Sequence, residues 1–71
     1  MHRQPVKSSA LESIGYDPET NILELEFKEN SGIWHYFNFK PATLKEFLSS
    51  ESLGNYFVTK IKGRYRERKV G

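Results

Sequence analysis

The clearest pattern along the chain is a strict alternation over residues 22–29, ILELEFKE. Leu23, Leu25 and Phe27 fall on one side and Glu24, Glu26 and Lys28 on the other, the period-two signature of a half-buried strand. Residues 8–16, SSALESIGY, read as a strand before it, and the intervening DPETN supplies turn chemistry through Asp17, Pro18 and Asn21. Asn30-Ser31-Gly32 makes a second turn, because Gly32 takes positive φ at no steric cost. Residues 33–39, IWHYFNF, then run as a third strand, which completes an antiparallel meander.

Beyond residue 40 the period changes. Pro41 cannot donate to a ladder, but it suits the first turn of a helix, where its missing N–H is not needed. Residues 41–51 place Leu44, Phe47 and Leu48 at i, i+3 and i+4, one apolar stripe on a short helix. A second helix from about Ser52 or Gly54 carries Phe57, Ile61 and Tyr65 at i, i+4 and i+8 over roughly three turns. Gly63, about 1 kcal/mol worse than alanine inside a helix, marks its end. The expected fold is therefore α+β: a three-stranded antiparallel β-meander followed by two α-helices packed on one face, in the order β-β-β-α-α.

Residues 33–39 hold four carbocyclic rings and one imidazole, and a strand divides them by side. Ile33, His35, Phe37 and Phe39 point one way, Trp34, Tyr36 and Asn38 the other. Two helices cover only one face of a sheet, so one set is core and the other meets water. Ile33, Phe37 and Phe39 are the more apolar set. They are expected to pack on Leu44, Phe47, Leu48, Phe57 and Ile61, with Phe37, Phe39, Leu25, Phe47 and Ile61 buried together, leaving Trp34 and Tyr36 on the open face.

Length confirms the economy of such a plan. Seventy-one residues make one domain, with a core over about residues 6–65 and a basic segment over 64–71, and a chain this short buries only about 60% of its unfolded surface. There is no cysteine, which excludes a disulfide scaffold, a thiolate nucleophile and cysteine-bound zinc. No apolar run approaches the roughly 20 residues of a membrane span, and MHRQPVKSSA lacks the apolar core of a signal peptide. A cytoplasmic location, with no membrane partner, is the expectation.

The net charge of +2 conceals an uneven distribution. Residues 1–31 carry three cations against six acids, and residues 32–71 carry eight cations against three acids. Lys60, Lys62, Arg64, Arg66, Arg68 and Lys69 oppose only Glu67, a local field that attracts polyanions. Read alone, such a segment is either a phosphate-binding element or a solvated basic tail.

Candidate catalytic chemistry is sparse. His2 lies in an end segment expected to fray and His35 in the third strand, and neither has a carboxylate or nucleophile at a spacing that suggests a dyad or a metal site. Ser8-Ser9 and Ser49-Ser50 read as turn and helix-end residues, and no glycine-rich phosphate loop or GxSxG elbow occurs. No enzyme, metal, cofactor or small-molecule substrate is expected.

One resemblance runs through most of the chain. Val6, Ser8, Ser9, Ile14, Gly15, Tyr16 and Asp17 spell VxSSxxxxIGYD; Trp34, Tyr36, Phe37 and Asn38 form an aromatic-x-Tyr-Phe-Asn group; Pro41 follows; and Ser52, Gly54, Tyr56 and Phe57 spell SxGxYF before Ile61-Lys62. In this order and spacing the chain resembles the KTSC domain, a small module named for the C-terminus of some lysyl-tRNA synthetases that also occurs as free-standing bacterial or phage proteins. The resemblance implies RNA binding. Trp34 replaces the first tyrosine of the family's Tyr-x-Tyr signature, which keeps a stacking surface and loses a hydroxyl.

Single-stranded RNA is recognised by bases lying on aromatic side chains while lysine and arginine meet the backbone. Trp34 and Tyr36, roughly 7 Å apart along a strand, suit that role, with Lys60, Lys62, Arg64, Arg66, Arg68 and Lys69 on phosphates of tRNA or another single-stranded RNA. The alternatives are that the two rings pack under the C-terminal helix, or that they form a protein-docking patch or homodimer seam.

Overall fold

The computed structural model describes residues 2–71. Its sheet has five strands: β1 (Arg3–Pro5), β2 (Leu11–Asp17), β3 (Ile22–Phe27), β4 (Ile33–Tyr36) and β5 (Glu67–Lys69). Each pairs antiparallel with the next, so their spatial order is their chain order. Between β4 and β5 the chain forms α1 (Pro41–Leu48) and the short α2 (Leu53–Tyr56), which runs on into a π-helical turn over Phe57–Ile61. The α+β class and the central meander are as expected; the count of three strands is not. β1 (RQP) and β5 (ERK) are three residues each, with no apolar alternation to announce them, and they exist because a neighbouring edge supplies their hydrogen bonds. No helix among the described residues is long and apolar enough to cross a membrane.

Local chemistry explains most element boundaries. β2 begins at Leu11 rather than Ser8, because the Ser8 hydroxyl accepts from the backbone N–H groups of Ala10 and Leu11 at 3.1 and 3.2 Å and holds a turn. Asp17 Oδ1 accepts from Glu19 N at 3.0 Å in the turn before β3, and Asn21 closes that turn at φ 57°. Ser52 caps α2 by accepting from Asn55 N at 3.2 Å. The second helix is shorter than its apolar stripe predicts. Lys62 N donates to Phe57 O at 2.8 Å, a π-type closure, and Gly63 at φ +75° then turns the chain toward β5.

The core lies between the sheet and the helices. Leu11, Ile14, Leu23, Leu25, Tyr36, Phe39, Phe47, Tyr56 and Ile61 are buried in it. The face assignment of the third strand is therefore corrected. Leu23 pairs with Tyr36 and Leu25 with Trp34, and directly opposed residues share a side of the sheet. Because Leu23 and Leu25 face the helices, Trp34 and Tyr36 do as well, and Tyr36 is only 2% exposed. Ile33 and His35 lie on the open face beside Glu26 and Glu24. Phe37 is half-buried there, whereas Phe39 is fully buried on the helix side. Asn38 separates them: at φ 59° it sits in the left-handed region that asparagine tolerates better than most residues, ends the strand's alternation and sends the next ring inward.

Burial also acts on the phenols. It pushes Tyr36 well above the usual tyrosine value, and the Glu67 carboxylate adds to the shift. Tyr56 is pushed up to about 12 by burial and by the hydrogen bond that its hydroxyl donates to Glu46.

Candidate nucleic-acid interface

The open face of the sheet carries a polar network that spans four strands. Arg3 on β1 donates from Nη1 to Glu24 Oε2 at 2.7 Å and from Nε to Ser13 Oγ at 3.0 Å. The Ser13 hydroxyl donates to Glu26 Oε1 at 2.8 Å, and His35 Nε2 lies 2.8 Å from Glu24 Oε1. Sequence spacing gave His35 no carboxylate; cross-strand register supplies one from eleven residues away. Gly15, in the middle of β2, makes the network possible. A Cβ there would meet the Arg3 side chain and the His2 carbonyl, each at 2.9 Å, so a mid-strand glycine was the available sign that another segment lies over this position.

Glu24 is 7% exposed although its face has no helix over it. Burial alone would raise its carboxyl, but hydrogen bonds and charge from His35 and Arg3 hold it below the usual carboxylate value. A carboxyl lowered in the folded state contributes stability above its unfolded value of 4.5 and loses that contribution as pH falls through the folded value. Glu24→Gln is therefore expected to be less stable than the parent by about 2 kcal/mol near neutral pH, with the gap closing below pH 4.5. Urea midpoints of both proteins between pH 6 and 3 check this, and a gap that stayed constant would contradict it.

On the other side of β4, strand β5 sorts the predicted cations. Arg68 opposes His35 and lies on the open face, whereas Glu67 and Lys69 oppose Tyr36 and Trp34 on the helix side. Phe37 N donates to Arg66 O at 2.9 Å, which continues the ladder by one pair and puts Arg66 with Arg68. A cleft of about 420 Å³ on the open side is lined by Phe37, Arg66, Glu67 and Arg68. His35 stands edge-on to Phe37, with ring centroids 6.3 Å apart at 77°. A smaller cleft of about 230 Å³ on the helix side is lined by Trp34, Tyr36, Phe57, Lys62 and Glu67, among others.

The expected binding residues thus divide. Arg66 and Arg68 share one cleft, while Trp34 and Lys62 share the other, where the Lys69 side chain lies close over Gly32 near the Trp34 indole. Lys60 and Arg64 are exposed and line neither cleft. Tyr36 is core, so it offers no ring to a base. The expected Trp34–Tyr36 stacking pair is replaced on the open face by His35 and Phe37, two rings the sequence analysis had placed on the core side. The basic segment is not a free tail: residues 67–69 form the fifth strand.

The comparison with protein families matches residues 7–65 to the KTSC domain. The chain belongs to the KTSC domain family. Among relatives of this KTSC domain, an uncharacterised protein of Stutzerimonas stutzeri is 40% identical over 57 residues, covering 80% of this chain and 79% of that one. A protein of Tsukamurella paurometabola is 38% identical over 63 residues, covering 89% and 92%. The crystal structure of a KTSC domain protein from Yersinia pestis superposes with a TM-score of 0.94 at 41% identity, covering 99% of this chain and 97% of that one. The fold of this KTSC domain is thus shared over essentially its whole length.

Proposed function

We propose that this KTSC domain is a non-enzymatic module that binds single-stranded RNA along the β4–β5 margin of its open face. One observation carries the reading: Arg66 and Arg68 flank the ring of Phe37 in a single cleft, and neither makes an ion pair with an acidic group among the described residues. Two unpaired guanidinium groups beside an accessible ring match the two requirements of single-strand binding, a cationic track for phosphates and a π-face for a base. Glu24 and Glu26 bound the track on the other side. With only Arg3 between them they leave the centre of the open face acidic, so a polyanion is confined to the margin.

The test is chemical-shift mapping of the labelled domain with a short oligouridine at low salt. Shifts gathered on His35, Phe37, Arg66 and Arg68 are expected. Their absence, or a map confined to other surfaces, would overturn the proposal and favour a protein-docking role for the same rings.

A further inference from the structure

The helix-side cleft differs from the open-side one in both shape and chemistry. At about 230 Å³ it lies below the roughly 300 Å³ at which drug-sized pockets begin, so it admits one small ring system. Its back wall is already internally packed: Phe57 meets Phe27 edge-on at 5.1 Å and Tyr36 at 5.7 Å. Trp34 lines the same cleft without a ring partner among the described residues. Its indole N–H donates to Ser31 O at 3.4 Å, which ties the ring edge to the β3–β4 turn.

The rim carries charge of both signs. Lys62 lines the cleft, and the Lys69 stem crosses Gly32, with its Cε 2.7 Å from where a Cβ would stand. Glu67 lines the cleft opposite Tyr36 and has no ion pair or side-chain hydrogen bond among the described residues. The pairing with Tyr36 puts Glu67 on the helix side of β5, and its outer edge also borders the open-side cleft. Lys62 at the rim, with Lys69 in the adjoining cleft beside the Trp34 indole, disfavours a cationic ligand and favours a phosphorylated one.

We infer that the helix-side cleft is a slot for a single guanine nucleotide, in which the base stacks on Trp34, the Glu67 carboxylate accepts from its Watson–Crick edge, and Lys62 and Lys69 meet its phosphate. This rests on reading the domain as a nucleic-acid binder, and it adds a base preference and a second contact across β5. Guanine alone among the four RNA bases presents two adjacent N–H donors on that edge, a match to the two oxygens of a carboxylate. Uracil presents one N–H between two carbonyl oxygens, which a carboxylate repels. Glu67 is exposed on β5, so its preference rests on the two charge-assisted hydrogen bonds gained with guanine and lost with a base that cannot donate both.

Because Trp34 is the sole tryptophan, its fluorescence reports on the slot directly. GMP is expected to quench it saturably, with UMP at least tenfold weaker. Glu67→Gln is expected to bring the two within about threefold while the fold is retained, as checked by its far-UV spectrum. Equal quenching by GMP and UMP, or quenching that rises linearly without saturation, would overturn the slot. The underlying reading fails differently. Oligouridine binding that depends on Arg66 and Arg68 with no GMP selectivity sinks the slot alone, whereas saturable GMP binding without oligonucleotide binding leaves a nucleotide site on a domain that does not bind strands.

Discussion

Phe39→Ala is expected to cost about 3 to 5 kcal/mol, close to the whole stability of a domain this small, whereas Phe37→Ala is expected to cost only about 1 kcal/mol. The two rings are two residues apart and chemically identical, so composition and propensity cannot separate them. Phe39 is fully buried and meets Phe47 and Tyr65 at centroid distances of 6.4 and 4.9 Å. Its backbone is held as well: its N–H donates to Asn21 O at 2.8 Å, and its carbonyl accepts the Tyr16 hydroxyl. Truncation there leaves a cavity that anchored surroundings cannot close. Phe37 is half-buried, with His35 as its one ring partner, and loses only the partial burial of one face. Urea denaturation of both variants checks the order. A Phe39→Ala protein with a near-native midpoint, or a Phe37→Ala protein that fails to fold, would contradict the path of the chain through Asn38.

The second large effect concerns binding. Replacing Arg66 and Arg68 together with alanine is expected to remove two phosphate contacts from the β4–β5 margin. On single strands each contact contributes about 0.7 to the slope of log K against log salt, so the slope should become shallower by about 1.4, with the largest loss of affinity at low salt. Both residues are exposed and lie at the sheet edge, so the folded state should persist. Phe37→Ala acts on the other half of the interaction: it removes a stack worth about 1 to 3 kcal/mol and leaves the slope unchanged. Titrations of a fluorescently labelled oligouridine at several salt concentrations separate the two defects. A double arginine variant with the parent's slope would show that phosphates are met elsewhere, with Lys60, Lys62, Arg64 and Lys69 the remaining cations of the segment.

The place where sequence reasoning failed is narrow and instructive. The turn at residues 30–32 was legible from Asn30, Ser31 and Gly32, but its closing pair was not. Phe27 N donates to Gly32 O at 3.0 Å, and that closure sets Leu25 against Trp34 and Glu24 against His35. Closing the loop one residue later or earlier would have put every side chain of β4 on the opposite side. The polar half of β3 contained the missing information. Glu24 and Glu26 on the open face are better matched by His35 than by Tyr36, while a phenol can be buried among leucines when its hydroxyl remains protonated, as the raised value of Tyr36 implies.

The sequence by itself determined what short-range periodicity and turn chemistry specify. These are the α+β class, the β2–β3–β4 meander, the Pro41 start and Leu44–Phe47 stripe of α1, the stop at Gly63, and the concentration of cations in residues 60–69. Only the tertiary structure decided which side of β4 became core, that the two ends of the chain became strands, and how β5 divided its cations between the two faces of the sheet. It also brought Arg3, Glu24 and His35 together from three strands. The physical reason is the same in each case. A side chain's face depends on the register of a neighbouring strand, and a three-residue edge strand is held by ladder bonds that its partner provides, so neither is encoded within reach of the residues it governs.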